Sequence, residues 1–584
     1  MEKERIELKV IFTLICAVFL GAVACPLVIL LSKSFIQPSG SIGLANYLSV
    51  LKNEEFILSL QHSFAVSGLE ALITVVLAFM LAYGLHYTNL PDKFKSVVQV
   101  LIILPMFLPT LTYGFAVIYS LGKQGLLTKL LGTQLFSIYG FWGLLISYVI
   151  YTLPPAFILL YNAFKYVDKH FIVVSQLMGD SPLRTFYITS VRPMIGTIAA
   201  SFILSFFLSF TDFGIPASIG GQYNVVATQL YMVMMGAVPD FQSGSAIAVI
   251  MLIPSVVALW MLRLSERFNF RYNKISTFEL PKDRVRDTLF ALLYILVIAA
   301  IFAIFAIMFI VPFIKSWPYQ VTFTTETLQR ILSDRSIKTV YMNSIMVAGA
   351  TAVIGTVLAY MAALVNARSK LPGVCKMLMD ACAMVTNTVP GMVLGVAFLF
   401  AFTGTPIQNT FIIIILLNSV REFTTPYLMI QASLSKINLS WERTGALMGD
   451  SWIKTIFRVI IPNTMSTVFQ MLSCIFVQAL VTISAIIFVT GARTMVMTTK
   501  ITQAQYFEKY DEVFVLSLLI FLTNIIVKVI FDYLANTDDI VFRIKEKGRR
   551  LFSAKRQADE TGKKRIGMQD LQKNVQMQET YKQL

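Results

Sequence analysis

Charge is scarce in this chain. Of its 584 residues only 14% are Asp, Glu, Lys or Arg, whereas 56% are hydrophobic, and the mean hydropathy is +0.71. A soluble domain cannot cover its surface with so few charges, so the composition describes an integral membrane protein. Histidine is nearly missing, with three in the whole chain, which argues against a histidine-rich metal site. The five cysteines (Cys16, Cys25, Cys375, Cys382, Cys474) form no CxxC pair and no disulfide spacing, and read as small core residues. No GxxxxGKS/T phosphate loop is present, so the chain does not hydrolyse ATP by that route. HExxH, GxSxG and metal-spaced Cys/His clusters are missing too. No catalytic residue, metal site or cofactor is expected.

What the chain has in quantity is long apolar runs. About 20 apolar residues cross roughly 30 Å of hydrocarbon as a helix. Twelve such windows are expected, at 9–32, 58–86, 97–121, 139–164, 194–216, 241–263, 289–315, 341–366, 376–402, 410–433, 463–490 and 512–535. The first run, Val10 to Leu31, is too long for a signal-peptide core and reads as a retained span. Pro105, Pro109, Pro154, Pro155, Pro390 and Pro426 fall inside spans and should kink them. The 26 methionines, including Met232, Met234 and Met235, read as packing residues.

The net charge of +16 fits basic residues concentrated in cytoplasmic loops better than nucleic-acid binding. Placing both termini in the cytoplasm puts Lys93, Lys95, Arg368, Lys370 and Lys376 inside. The same choice puts the basic linker 264–288 and the basic tail 541–584 inside. That tail should stay flexible or lie along anionic lipid.

The strongest internal signal is a repeat. Leu177-Met178-Gly179-Asp180-Ser181 returns as Leu447-Met448-Gly449-Asp450-Ser451, 270 positions later. Further upstream the halves match at an offset of 281: His62-Ser63 with Asn343-Ser344, Leu90-Pro91 with Leu371-Pro372, and Pro109 and Gly114 with Pro390 and Gly395. The order of features is the same in both halves, so the repeat is parallel. The expected organisation is a first transmembrane domain over 1–263, a linker over 264–288, a second domain over 289–540, and the tail.

Each repeated phrase sits in an inside segment, 165–193 or 434–462. A short helical stretch precedes each glycine, and Asp180-Ser181 or Asp450-Ser451 after it can cap a second helix. An amphipathic run to Pro193 or Pro462 follows. One such glycine is readily only a turn. Two copies with matched flanks point to two helix–turn–helix knobs and two equivalent partner sites.

The stretch from Glu442 through Gly445, Gly449, Asp450 and Ser451 to Pro462 resembles the EAA loop of binding-protein-dependent ABC importer permeases of the type I fold. That pattern runs Glu-Ala-Ala, three residues, Gly, then an apolar stretch to Pro. The first copy has Val173-Val174-Ser175 in place of Glu-Ala-Ala, and one extra residue between Gly179 and Pro193. The resemblance implies an all-α membrane protein with two tandem six-helix domains in a bacterial inner membrane. It also implies two cytoplasmic ATP-binding cassette subunits docked on the knobs, with Gly179, Asp180, Ser181, Glu442, Gly445, Gly449, Asp450 and Ser451 at the docking loops. An external solute-binding protein would deliver a small solute. Thr211-Asp212-Phe213-Gly214, Gly220-Gly221-Gln222 and Thr482-Ile483-Ser484 are similar to the permease group for ferric iron or 2-aminoethylphosphonate. A twelve-span secondary transporter is the competing reading; it needs no repeated knob, and it usually buries a proton or sodium relay.

Ionisable residues inside spans are costly and mark candidate functional positions. Here they are Glu70, Asp212, Asp380, Arg421 and Glu422. Glu70 and Asp380 are expected near span ends or paired with a helix terminus. Cavity lining and structural pairing are both open for Asp212, and an ion pair is open for Arg421. With Thr211, Thr482 and Ser484, the residues Asp212, Arg421 and Glu422 are the candidates for the solute pathway.

Overall fold

The computed structural model describes residues 6–37, 39–134, 136–266, 281–369, 371–438 and 440–537. Most of the basic linker and the whole tail lie outside the described residues. The described chain is almost wholly helical; its sole strands are a two-stranded hairpin, Ile314–Ser316 with Gln320–Phe323. Among the described residues eight helices are long and apolar enough to cross a membrane, and with each of four bent pairs taken as one span there are twelve. All twelve fall on the expected windows.

The prolines decide where spans break. Asp92–Phe107 and Thr110–Leu131 meet at 104° around Pro105 and Pro109, and Gly373–Thr386 and Gly391–Phe402 meet at 103° at Pro390. These are equivalent places in the two halves. A proline lacks the N–H that an α-helix needs and disfavours helical backbone just before it, so the ladder stops there. Pro426 follows a 53° bend between Phe411–Arg421 and Thr424–Lys436. Pro154 and Pro155 behave differently: the helix Phe141–Phe164 continues through both. There the neighbouring helices hold the segment, since spans 2 and 5 both pack along it.

The described residues form two compact units, one within 6–437 with 471–527 and one within 438–470 with 528–537. Within the larger unit the sequence halves interlock. Span 1 (Glu7–Phe35) packs on spans 8 and 9, and span 7 (Arg284–Phe313) packs on spans 2 and 3. Tyr294 of span 7 donates its hydroxyl to the Leu81 carbonyl of span 2 at 2.8 Å. Span 12 reaches span 3 through Ser517 and Thr112, whose hydroxyls are 2.9 Å apart, and through Asn524, which donates to the Phe107 carbonyl at 3.0 Å.

The duplication is visible in hydrogen bonds as well as in order. Ser63 Oγ accepts the Val226 N–H at 2.8 Å, and the equivalent Ser344 Oγ accepts the Met497 N–H at 2.7 Å. Each serine thus satisfies a free donor at the start of a short helix, Val226–Met235 or Met497–Tyr506. The adjacent residues are matched as well. His62 Nδ1 lies 3.0 Å from the Asn224 carbonyl, and Asn343 donates to the Met495 carbonyl at 3.2 Å.

Candidate functional site

The first knob is a helix–turn–helix built by one glycine. The helix His170–Leu177 ends at Met178, and Gly179 follows with φ 78°, left-handed backbone that side chains resist. Gly179 donates its N–H to the Gln176 carbonyl at 3.0 Å, and Asp180 to the Ser175 carbonyl at 3.1 Å. This pair of bonds is the Schellman motif, which satisfies the last carbonyls of a helix. Ser181 then caps the next helix, Pro182–Phe186, by accepting the Arg184 N–H at 3.4 Å. Asp180 is held inward, accepting from Ser175 Oγ at 2.7 Å and pairing with Arg184 Nε at 3.0 Å.

The second knob, in the smaller unit, repeats this construction. The helix Ser440–Leu447 is followed by Gly449 with φ 79°, and Asp450 donates its N–H to the Gly445 carbonyl at 3.0 Å. Ser451 caps the helix Trp452–Thr455 by accepting the Lys454 N–H at 3.3 Å. Lys454 pairs with Asp450 and holds its carboxyl below the usual carboxylate range. Gly445 lies against Thr455, whose Oγ1 would be 2.8 Å from any Cβ there. A five-residue π turn leads to the proline in each copy, Tyr187–Val191 in the first and Ile456–Ile460 in the second.

The eight residues expected at the docking loops therefore set the shape of the knobs, as turns, caps and braces. Glu442 shows this best: it is 5% exposed and accepts the indole N–H of Trp452 at 3.3 Å. Each knob also presents a matched set of apolar residues outward, among exposed polar ones. Leu177 and Leu447 are 82% and 88% exposed, and Met178 and Met448 are each 79% exposed. Leu183 and Tyr187 are exposed in the first copy, and their equivalents Ile453 and Phe457 in the second. All four pairs are 270 positions apart. The repeat offset carried this signal, because apolar residues at matched positions of a polar loop are a surface kept twice.

The span candidates converge elsewhere. Thr211, Asp212, Arg421, Glu422, Thr482 and Ser484 all line one cavity of about 300 Å³, enclosed by spans of both halves. Its walls contain broken helix at equivalent places. One helix stops at Thr211 and resumes at Gly214; the other stops at Val481, leaving Thr482 and Ile483 outside it. Non-helical backbone at membrane depth is tolerated where it lines a cavity. Asp212 Oδ2 accepts the Ile215 N–H at 2.8 Å and so satisfies one donor freed by the break. Arg421 Nε lies 3.5 Å from Glu422 Oε1, an ion pair between neighbours in the chain.

Glu70 and Asp380 do not line this cavity. Glu70 is not near a span end; it lies mid-way along Glu54–Tyr87, fully buried, and accepts hydrogen bonds from Thr74 at 2.8 Å and from Thr152. Both threonines reach Oε1, and Oε2 is buried with no hydrogen-bond partner among the described residues. Asp380 accepts from Asn366 at 2.6 Å and Tyr427 at 2.5 Å, joining spans 8, 9 and 10.

A twelve-span protein with two parallel halves and a duplicated glycine-turned knob matches a described family. The pattern of the binding-protein-dependent transport system inner membrane component fits residues 74–271 and again 355–537. The chain belongs to this family. It is 27% identical over 467 residues to the "Putative ferric transport system permease protein FbpB 1" of Haemophilus influenzae, covering 77% of this chain and 73% of that protein. It is 26% identical over 456 residues to the ferric transport system permease protein FbpB of Actinobacillus pleuropneumoniae, covering 75% of this chain and 65% of that one. The spermidine/putrescine transport system permease protein PotC of Escherichia coli K12 is 25% identical over 252 residues, which is 41% of this chain and 88% of PotC. The binding-protein-dependent permease is thus a multi-pass membrane protein that serves an ABC importer, with the secondary-transporter reading set aside.

Proposed function

We propose that the two knobs are the docking points for two ATP-hydrolysing subunits and that the cavity between the halves is the solute pathway. The observation that carries this reading is the matched apolar cap, with Leu177, Met178, Leu183 and Tyr187 on one knob and Leu447, Met448, Ile453 and Phe457 on the other. Exposed apolar clusters on an otherwise polar loop mark a partner surface. The distribution of Lys and Arg along the sequence supports placing both knobs and both termini on the cytoplasmic side. Two docking points per chain imply two motor subunits per permease, with residues 1–263 and 289–540 as the duplicated pore domains. An external binding protein would deliver the solute from the opposite side. Ferric iron is the proposed cargo, because ferric permeases are the relatives that match three quarters of the chain.

Co-purification with the ATPase subunit tests the docking. Leu177→Asp with Leu447→Asp should leave the permease in the membrane at normal levels and abolish ATPase capture. Full capture by that double variant sinks the docking reading. Iron-55 uptake by cells carrying the complete system tests the cargo, and uptake that does not depend on this chain removes iron.

A further inference from the structure

The two halves do not contribute equally to the cavity. At an offset of 270, Tyr151 corresponds to Arg421, Thr152 to Glu422 and Asp212 to Thr482. The first half supplies an acid from its broken span 5, while the second supplies an Arg–Glu pair from span 10. Room for the guanidinium is made locally. Gly391 stands where the first half has Thr110, and a Cβ at Gly391 would lie 3.0 Å from Arg421 Cζ. The first half places its small residue on the other span, with Gly214 closed against the Thr110 hydroxyl. The two halves therefore differ at four matched positions around the cavity, and two of these differences, Arg421 for Tyr151 and Gly391 for Thr110, together seat the arginine.

Arg421 is only partly used by the protein. Its Nε faces Glu422 at 3.5 Å, whereas Nη1 is buried and has no hydrogen-bond partner among the described residues. A buried guanidinium nitrogen without an acceptor is costly, and an oxyanion is the group whose geometry matches the guanidinium fork. A lone anion would still meet Asp212 and Glu422 on the same walls. We propose that Arg421 is a subsite for an oxyanion group of the solute, and that Asp212 on the opposite half faces a cationic part of the same solute. The cargo class is a small solute or complex that carries both charges and enters in one orientation. The proposal rests on the cavity being the solute pathway, and not on iron being the cargo.

Three probes of related skeleton separate the charges: β-alanine with both, propionate with the anion alone, and ethylamine with the cation alone. Binding is read by calorimetry on the full chain in nanodiscs. Wild type should bind β-alanine saturably and more tightly than either single-charge probe. Arg421→Gln should weaken β-alanine about tenfold, the loss of one charge-assisted hydrogen bond, and leave ethylamine unchanged. Arg421→Lys should recover part of the loss. The double variant Arg421→Gln with Glu422→Gln should stay weak. No saturable β-alanine binding by wild type up to about 10 mM overturns the proposal. So does wild-type binding in the double variant, because Arg421 would then serve only to neutralise Glu422. Iron-55 uptake is scored separately, so a permease that binds β-alanine and carries no iron loses the cargo reading alone.

Discussion

The indole N–H of Trp452 donates to Glu442 across the turn at Gly449, at 3.3 Å. Both side chains are buried in the second knob. The glutamate that starts the recognised loop pattern thus braces the loop from inside. Its role explains why a charged residue sits beside an apolar cap. A carboxylate reaching back to an indole fixes the two short helices against each other.

Glu442→Ala should loosen this knob. Removing the acceptor from a buried donor costs on the order of 1–3 kcal/mol. Hydrogen exchange of amides 445–456 should speed up, while the amides of span 8 stay protected. Unchanged exchange over 445–456 would mean the bond does not hold the knob.

Gly179 and Gly449 should tolerate asparagine better than alanine. Both have left-handed backbone with no atom near the Cβ position, so the penalty is conformational rather than steric. Alanine there costs about 1–2 kcal/mol, and asparagine less. Transport by Gly449→Ala should fall below that of Gly449→Asn when both are expressed at equal levels. The reverse order would contradict the backbone argument.

Gly391→Ala should impair transport without unfolding the protein. The new methyl would lie 2.6 Å from Ser484 Oγ and 3.0 Å from Arg421 Cζ, so the serine hydroxyl must shift and the guanidinium must give way. In a Ser484→Ala background the combination with Arg421→Gln should be no worse than Arg421→Gln alone, because both then act through one side chain. Additive losses in solute uptake would show that Gly391 acts elsewhere.

The second knob should be insensitive to pH from 8 to 5. The Asp450 carboxyl is held below its usual value by Lys454. A carboxyl with a depressed folded value stabilises above its unfolded value, about 3.9, and loses that contribution as pH falls through the lower folded value. Exchange protection of amides 450–456 should therefore weaken only below about pH 4. A transition near pH 6 would assign control to another group.

Much of the site was legible before the fold. Asp212, Arg421, Glu422, Thr211, Thr482 and Ser484 stood out as costly charges or repeat partners, and the structure gathers all six around one cavity. The knobs were half legible. The offset of 270 marked where they lie, but not that Glu442 and Asp180 turn inward while Leu177 and Leu447 face out. Facing depends on hydrogen-bond partners, and Ser175 and Trp452 supply them. Glu70 was misplaced because one of its two hydrogen-bond donors, Thr152, lies 82 positions away.

The sequence by itself determined the number of spans, the parallel duplication and the glycine turns. Hydrocarbon thickness sets span length, and left-handed backbone favours glycine; both are local constraints. Only the tertiary structure decided that span 1 packs on the second half and span 7 on the first. It alone decided that Pro154 and Pro155 stay within a continuous helix while Pro109 and Pro390 sit at breaks. It alone seated Arg421 over Gly391. Those outcomes depend on residues far apart in the chain competing for the same space, and no window of sequence contains both competitors.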